Sequence, residues 1–376
     1  MPPTNLQINR LNSTRFKRRQ FLQTSAAALS GLALSSCGWR LAQVQTSPTT
    51  KSPTDVLYIY TWAGYTDKDL LDRFAEKTGI RVVADVFDSN EAMLARIQAG
   101  GGGAYSIIYP SDFMVVQMAQ LGLLTELDHS QIGGLEQLRK QFQSPVYDPG
   151  NRHSVPVSWG TTGLIYNTEQ LKEVPEDWDY LWRHKQELSK RLTLVNDVRE
   201  VFGAALRMLS YSINSLNPDE IKKAYEKLVE LKPTIASFTT DAWRTQMLTG
   251  DLKIAMCYSS DANEVISENP KLQYALPKSG SSLWTDTLVI PKTAPNPEAA
   301  YKWINFMLQP DVAASLVERL SFATPSEAAY NLLTPEVREN QILFPPKSLL
   351  DQCEGVAPVG KLAAVYERYW TKLTSG

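Results

Sequence analysis

VLYIYTWAGYTDKDLLDRFAEKTGIRVVADVF, residues 56–87, decides the fold. Val56-Leu57-Tyr58-Ile59-Tyr60 is a short apolar and aromatic run of the kind that forms a buried strand. Asp67 to Lys77 follows with Leu70, Leu71 and Phe74 at helical spacing, and Gly79 supplies the stop. Arg81 to Phe87 is again β-rich. The rhythm then repeats: Ser89 caps a helix carrying Met93, Leu94 and Ile97, closed by Gly100 to Gly103, and Tyr105 to Tyr109 reads as a strand. Asp112 opens a further helix through Val115, Val116 and Met118. Such alternation predicts an α/β fold with a parallel sheet and helices on both faces. Ligands in these folds sit beyond the carboxyl ends of the strands. Here those ends hold Trp62-Ala63-Gly64-Tyr65, Ser89-Asn90-Glu91 and Pro110-Ser111-Asp112.

Working outward, the pattern restarts at Leu164-Ile165-Tyr166. Helices are expected at 178–190, 198–212, 218–231, 241–248, 297–308, 310–320 and 360–373. Strands are expected at 192–194, 254–258 and 288–291. The 376 residues suffice for two cores of ordinary size, and no tandem repeat is visible.

Upstream of the folded body the composition changes. Residues 1–36 hold Arg10, Arg15, Lys17, Arg18 and Arg19 and no acid, which leaves 33 basic against 40 acidic residues elsewhere. A mildly acidic body argues against nucleic acid and suits a cationic partner. Lys17-Arg18-Arg19-Gln20-Phe21-Leu22 is a twin-arginine pattern, and the apolar stretch from Ala26 to Leu34 is too short to span a bilayer. The pair reads as an export signal over 1–36. Leu34-Ser35-Ser36-Cys37 resembles a lipobox, predicting acylation at Cys37, and the Ser/Thr/Pro-rich residues 37–54 read as a tether. The expected location is the outer, periplasmic face of the cytoplasmic membrane. Cys257 and Cys353 are expected as buried free thiols, although a disulfide stays open. His129, His153 and His184 lack the spacing of a metal site or a catalytic triad, so no metal or cofactor is expected.

Val56 to Tyr65, Ser89-Asn90-Glu91, Gly103-Ala104-Tyr105 with Pro110-Ser111, Trp159-Gly160 through Asn167, Asp197 to Phe202, Trp284-Thr285-Asp286 and Ala323-Thr324-Pro325 together resemble one family. It is that of the extracytoplasmic spermidine/putrescine-binding proteins of polyamine ABC transporters, over nearly all of residues 55–376. The resemblance implies a two-lobed type II periplasmic-binding-protein fold with the ligand between the lobes. Lobe 1 is expected at 55–159 and 288–323, lobe 2 at 160–287 and 324–376, with crossings near 158–162, 285–289 and 322–325. It further implies a polyamine ligand, ABC permease subunits as partners, and no enzymatic activity. The implied ligand-binding residues are Trp62, Tyr65, Ser111, Phe113, Asp197, Glu200, Tyr258, Trp284, Asp286 and Phe322. The chain also departs from the family: Ala63 stands for a hydroxyl residue, Phe113 and Phe322 for tyrosines, Tyr258 for a tryptophan, and a glutamine is lost around Val356. These changes remove hydrogen-bond partners for a terminal amine and keep the carboxylates.

The residues themselves leave alternatives open. Asp197 and Glu200 stand three apart at a helix start, which suits a ligand-facing carboxylate pair and equally a capping box. A helix N-terminus favours ionised carboxylates in either case. Trp284 and Asp286 share a strand face, offering one ring and one carboxylate to a ligand, or else a core Trp beside a surface Asp. A quaternary ammonium ligand would require an aromatic cage with fewer acids. Two carboxylates on one helical turn do not face each other across a scissile bond as glycosidase pairs do, and no Gly-x-Ser-x-Gly motif occurs. A sensory lipoprotein that presents bound polyamine is a further alternative.

Overall fold

Asp67 accepts the Leu70 backbone N–H, and Gly79 turns left-handed at φ 71°, so helix α1 (Lys68–Thr78) starts and stops where its end chemistry dictates. It joins strand β1 (Val56–Trp62) to β2 (Arg81–Phe87), which pair in parallel register. Ser89 caps α2 (Asn90–Gln98) by accepting from Ala92 N–H. Next come β3 (Ile107–Ile108) and α3 (Asp112–Gln120). The computed structural model describes residues 55–375, so the export signal, Cys37 and the tether lie outside the described residues.

The remaining strands are β4 (Ser154–Asn167), β5 (Leu192–Leu194), β6 (Ile235–Phe238), β7 (Ile254–Tyr258), β8 (Leu272–Ala275), β9 (Ser282–Val289) and β10 (Glu354–Gly355). They build one curled mixed sheet in the order β2-β1-β3-β9-β4-β7-β5-β6, with β10 joined to β9 and β8 to β4. The expected parallel pairing holds on the flanks, where β1 pairs with β2 and β3, and β5 with β6 and β7. At the centre it fails: β4 runs antiparallel to β7, β8 and β9. The β4–β9 pair is the seam from which both halves of the two-lobed fold hang.

Two further helices matter below, α4 (Val198–Met208) and the C-terminal α5 (Ala363–Thr374). On one side of the seam, Leu57, Phe74, Trp159 and Trp303 sit in one core, and Tyr60, Met93 and Met118 form a layer beside it. On the other side, Trp178, Phe202, Leu228 and Tyr366 share a core.

Several elements differ from expectation. Only Leu164 to Tyr166 reads as strand in the sequence, yet β4 runs 14 residues. Its first half is written in small and polar residues, Pro156, Ser158, Gly160, Thr161 and Thr162, which hide the β pattern. β9 begins at Ser282, six residues before the expected start. The strand at 105–109 shrinks to Ile107–Ile108, and the helix at 178–190 to Tyr180–Arg183. There, tertiary bonds override the helical stripe: Trp178 Nε1 donates to Gly280 O, and Asp177 receives Ser279. Cys257 is a buried free thiol as expected, while Cys353 is free but only partly buried. Cys257 lies on β7 and Cys353 adjoins β10, with β4 and β9 between them in the sheet. Strand steps of roughly 4.8 Å put the pair beyond the roughly 7 Å Cα reach of a disulfide.

Candidate ligand site

The seam supplies a floor. Along β9, Ser282, Trp284 and Asp286 share one face, and across the antiparallel pair Ser158 stands opposite Asp286 and Gly160 opposite Trp284. Thr162 meets Ser282 through a 2.9 Å contact between their hydroxyls. A Cβ at Gly160 would come within 2.3 Å of Trp284 Cζ2, so only glycine lets that ring lie on the strand. The alternate residue Trp159 faces the opposite core, 2% exposed.

Loops at strand ends supply the walls. Tyr65, just after β1, donates its hydroxyl to Asp286 Oδ2 and lies 3.1 Å from Ser158 Oγ. Ser111, after β3, donates to Asp286 Oδ1 at 2.7 Å. Asn90 holds Ser111 in turn, bonding both its hydroxyl and its backbone N–H at 3.1 Å. The Phe322 ring stacks at a tilt on Tyr65, centroids 4.2 Å apart. Trp62 packs on Phe87 at 4.3 Å, with its indole N–H turned toward Asp286 but not hydrogen-bonded. From the other half, Tyr258 at the end of β7 meets Trp284 edge to face at 5.9 Å.

Asp197 caps α4, accepting the N–H groups of Arg199 and Glu200. The capping box is only half formed. Glu200 does not reach back; its carboxylate instead accepts from Ser282 Oγ on the floor at 2.5 Å. Phe113 packs, as Trp62 does, against the layer of Tyr60, Met93 and Met118.

Burial dominates the electrostatics. It lifts Glu200 to about 7, helped by the charge of Asp197 and opposed by bonds from Ser282 and Thr162. It lifts Asp286 to about 6 against the bonds from Tyr65 and Ser111. Asp197 is also raised, though its two backbone donors resist. The Tyr258 hydroxyl is pushed well up by burial and then by Asp197, Glu200, Asp261 and Asp286, so four acids converge on it. Arg199 does not neutralise them with an ion pair: it donates to Ala357 O and Asn214 Oδ1 and stacks over Tyr366. Among the described residues, Asp197, Glu200 and Asp286 make no ion pair, and the charge of Arg199 offsets the burial of Asp197 and Glu200 only in part. Buried carboxyls without a counter-charge are costly unless a ligand brings one.

Sequence reading missed Ser158, Gly160, Thr162 and Ser282, all on the shared face. The signal was period-two alternation continued outward from Trp284 and Asp286. Among the described residues no group of His, Cys, Asp and Glu is arranged to hold a metal ion.

The sequence profile of the bacterial extracellular solute-binding proteins matches residues 69–345. The spermidine/putrescine-binding periplasmic protein of Salmonella typhimurium is 36% identical over 326 residues, 86% of this chain and 93% of that one. The spermidine/putrescine ABC transporter substrate-binding protein of Streptococcus pneumoniae superposes with a TM-score of 0.76 at 36% identity, covering 85% of this chain and 99% of that one. A putative spermidine/putrescine ABC transporter protein of Listeria monocytogenes gives 0.80 at 36% identity, covering 85% and 98%. Fold and sequence therefore agree, and the chain belongs to the bacterial extracellular solute-binding protein family.

Proposed function

We propose that this protein is the substrate-binding component of a polyamine ABC importer, capturing spermidine or putrescine between its halves and delivering it to permease subunits. The observation that carries the reading is the set of carboxyls, Glu200 and Asp286 buried and Asp197 partly so, framed by Trp62, Tyr65, Tyr258, Trp284 and Phe322 and without an ion pair among the described residues. An ammonium supplies the missing charge, and its methylene chain lies along the rings. Charge-assisted bonds contribute roughly 1.5–3 kcal/mol each and cation–π contacts roughly 0.5–2. Set against association costs of roughly 4 kcal/mol or more, several such contacts allow micromolar binding.

Family membership supports an extracytoplasmic location, and Leu34 to Cys37 supports anchoring through an acylated Cys37. Mass spectrometry of membrane-associated protein should find diacylglycerol on that thiol; an unmodified Cys37 counts against the anchor. The lobes divide at the crossings near 158–162, 285–289 and 322–325, where β4 and β9 pass and Trp159 bridges Ala323. Calorimetry with putrescine, spermidine, spermine and glycine betaine tests the ligand class. Saturable binding of the polyamines and none of betaine is expected, and the reverse order of affinity overturns the reading.

A further inference from the structure

Asp112 is the first residue of α3 and is 2% exposed, deeper than any of the three carboxylates assigned so far. Its Oδ1 accepts the Phe113 N–H at 2.7 Å, and the carboxyl also draws on the Thr285 N–H of β9. The residue before it, Ser111, bridges Asp286 through backbone and side chain alike. Two carboxyls, Asp112 and Asp286, thus stand on adjoining backbones at the edge of the same floor. The charged and titratable groups in electrostatic reach of Asp112 are Asp286 from β9, Glu200 and Arg199 from α4, and Tyr147 from the loop before β4. Arg199 is committed to Ala357 O and Asn214, and no ion pair reaches Asp112 among the described residues. One hydroxyl in electrostatic reach of Asp112, that of Tyr147, is buried and has no hydrogen-bond partner among the described residues.

We propose that Asp112 is a specificity-determining residue of this cleft: together with Asp286 it receives one ammonium of the bound polyamine. The inference rests on the polyamine reading and deepens it. A helix-start carboxyl can be explained by the helix alone, but that explanation accounts neither for its burial among other acids nor for the unpartnered Tyr147 hydroxyl, whose oxygen can accept from an ammonium. Burial holds the Asp112 carboxyl well above the usual carboxylate range, and the charges of Asp286 and Glu200 push the same way. Burial thus favours the neutral carboxyl in the empty cleft, and an ammonium seated against it favours the anion. The proton leaves to solvent as the ligand enters, so binding through Asp112 weakens on acidification. A singly charged amine has one ammonium for two acidic ends of the cleft and loses most from this arrangement.

The test is calorimetry of spermidine and putrescine on wild type and Asp112→Asn, in two buffers of different ionisation enthalpy, with melting temperatures taken without ligand. Asn keeps the oxygen that caps Phe113 N–H and removes the charge. Affinity about tenfold weaker, with release lowered by up to about one proton per ligand and the melting temperature retained, is expected. Unchanged affinity and proton release overturn the proposal, as does a lowered melting temperature with intact binding, which marks a structural cap. If Asp112→Asn does not fold, Asp112→Ser, which keeps a hydroxyl acceptor, is judged by the same readouts. Wild type that binds no polyamine refutes the polyamine reading and this inference together; wild-type binding with an inert Asp112→Asn refutes the inference alone.

Discussion

Glu200→Gln separates ligand binding from helix capping because the two roles move stability and affinity in opposite senses. Gln keeps the shape and can still accept the Ser282 hydroxyl that Glu200 accepts at 2.5 Å. What disappears is the charge. The carboxyl titrates near 7 in the folded chain against 4.5 in its ordinary state. A raised carboxyl contributes its full share of stability below its unfolded value and loses it as pH rises through the folded one. Between pH 4.5 and about 7 the folded, unliganded protein therefore becomes less stable as Glu200 ionises, by a ceiling of about 3 kcal/mol at pH 8 and under about 1 at pH 5. The Gln variant escapes this loss. Without ligand it should unfold at higher urea than wild type at pH 8 and nearly with it at pH 5. Its affinity for spermidine at pH 8 should fall by roughly 1–3 kcal/mol, about five- to a hundredfold, since one ammonium loses an ionised acceptor. Urea unfolding at both pH values and calorimetry on the same samples read all of this. A variant that is less stable than wild type at pH 8 and binds spermidine normally would refute the reasoning, leaving Glu200 a structural residue.

Asp197→Ser tests the cap from the other side: the hydroxyl still serves the N–H groups of Arg199 and Glu200. Urea stability should change by less than about 1 kcal/mol while affinity drops about five- to a hundredfold. Gly160→Ala forces the Trp284 ring off the floor, because the new Cβ would lie 2.3 Å from Cζ2. It should cost roughly 1–3 kcal/mol of stability and shift the tryptophan emission, and an unshifted spectrum with normal binding disproves the seating of that ring. Closure of the two halves on ligand should shrink the radius of gyration in small-angle scattering, and an identical profile at proven saturation shows halves already fixed.

The flanks of the fold were legible because each of their elements obeys one period and carries its own ends. Asp67, Ser89 and Gly79 mark boundaries that the structure keeps to within a residue. The centre was not, because one face of the β4–β9 pair is small or polar rather than apolar. Ser158, Gly160 and Thr162 must be small, and Asp286 must be acidic, so the apolar signal of a strand is lost where the sheet is most buried. The same conflict hid the antiparallel pairing, which depends on where β9 inserts between β3 and β4, a matter of long-range packing. Within the site, Tyr65, Ser111 and Asp286 are joined by hydrogen bonds in the structure, and Trp284 meets Tyr258. Phe113 is in none of these contacts, and Asp112, its neighbour, stands in the sequence reading at a ligand-side strand end and as a helix opener but not among the ligand-binding residues.

The Tyr65–Asp286 bond joins residues 221 apart, and the strand that carries Asp286 is inserted between two strands made long before it. While the chain is being synthesised, the aromatic walls from β1 exist without a floor, and α4 offers Asp197 and Glu200 to water rather than to a cleft. Until Ser282 to Asp286 have emerged and β9 has taken its place, neither half presents a closed site for a cation. Loop closure over such separations is also slow. Capacity to hold the ligand therefore depends on β9 reaching its place, and a chain that ends before Ser282 has no floor on which to seat a cation.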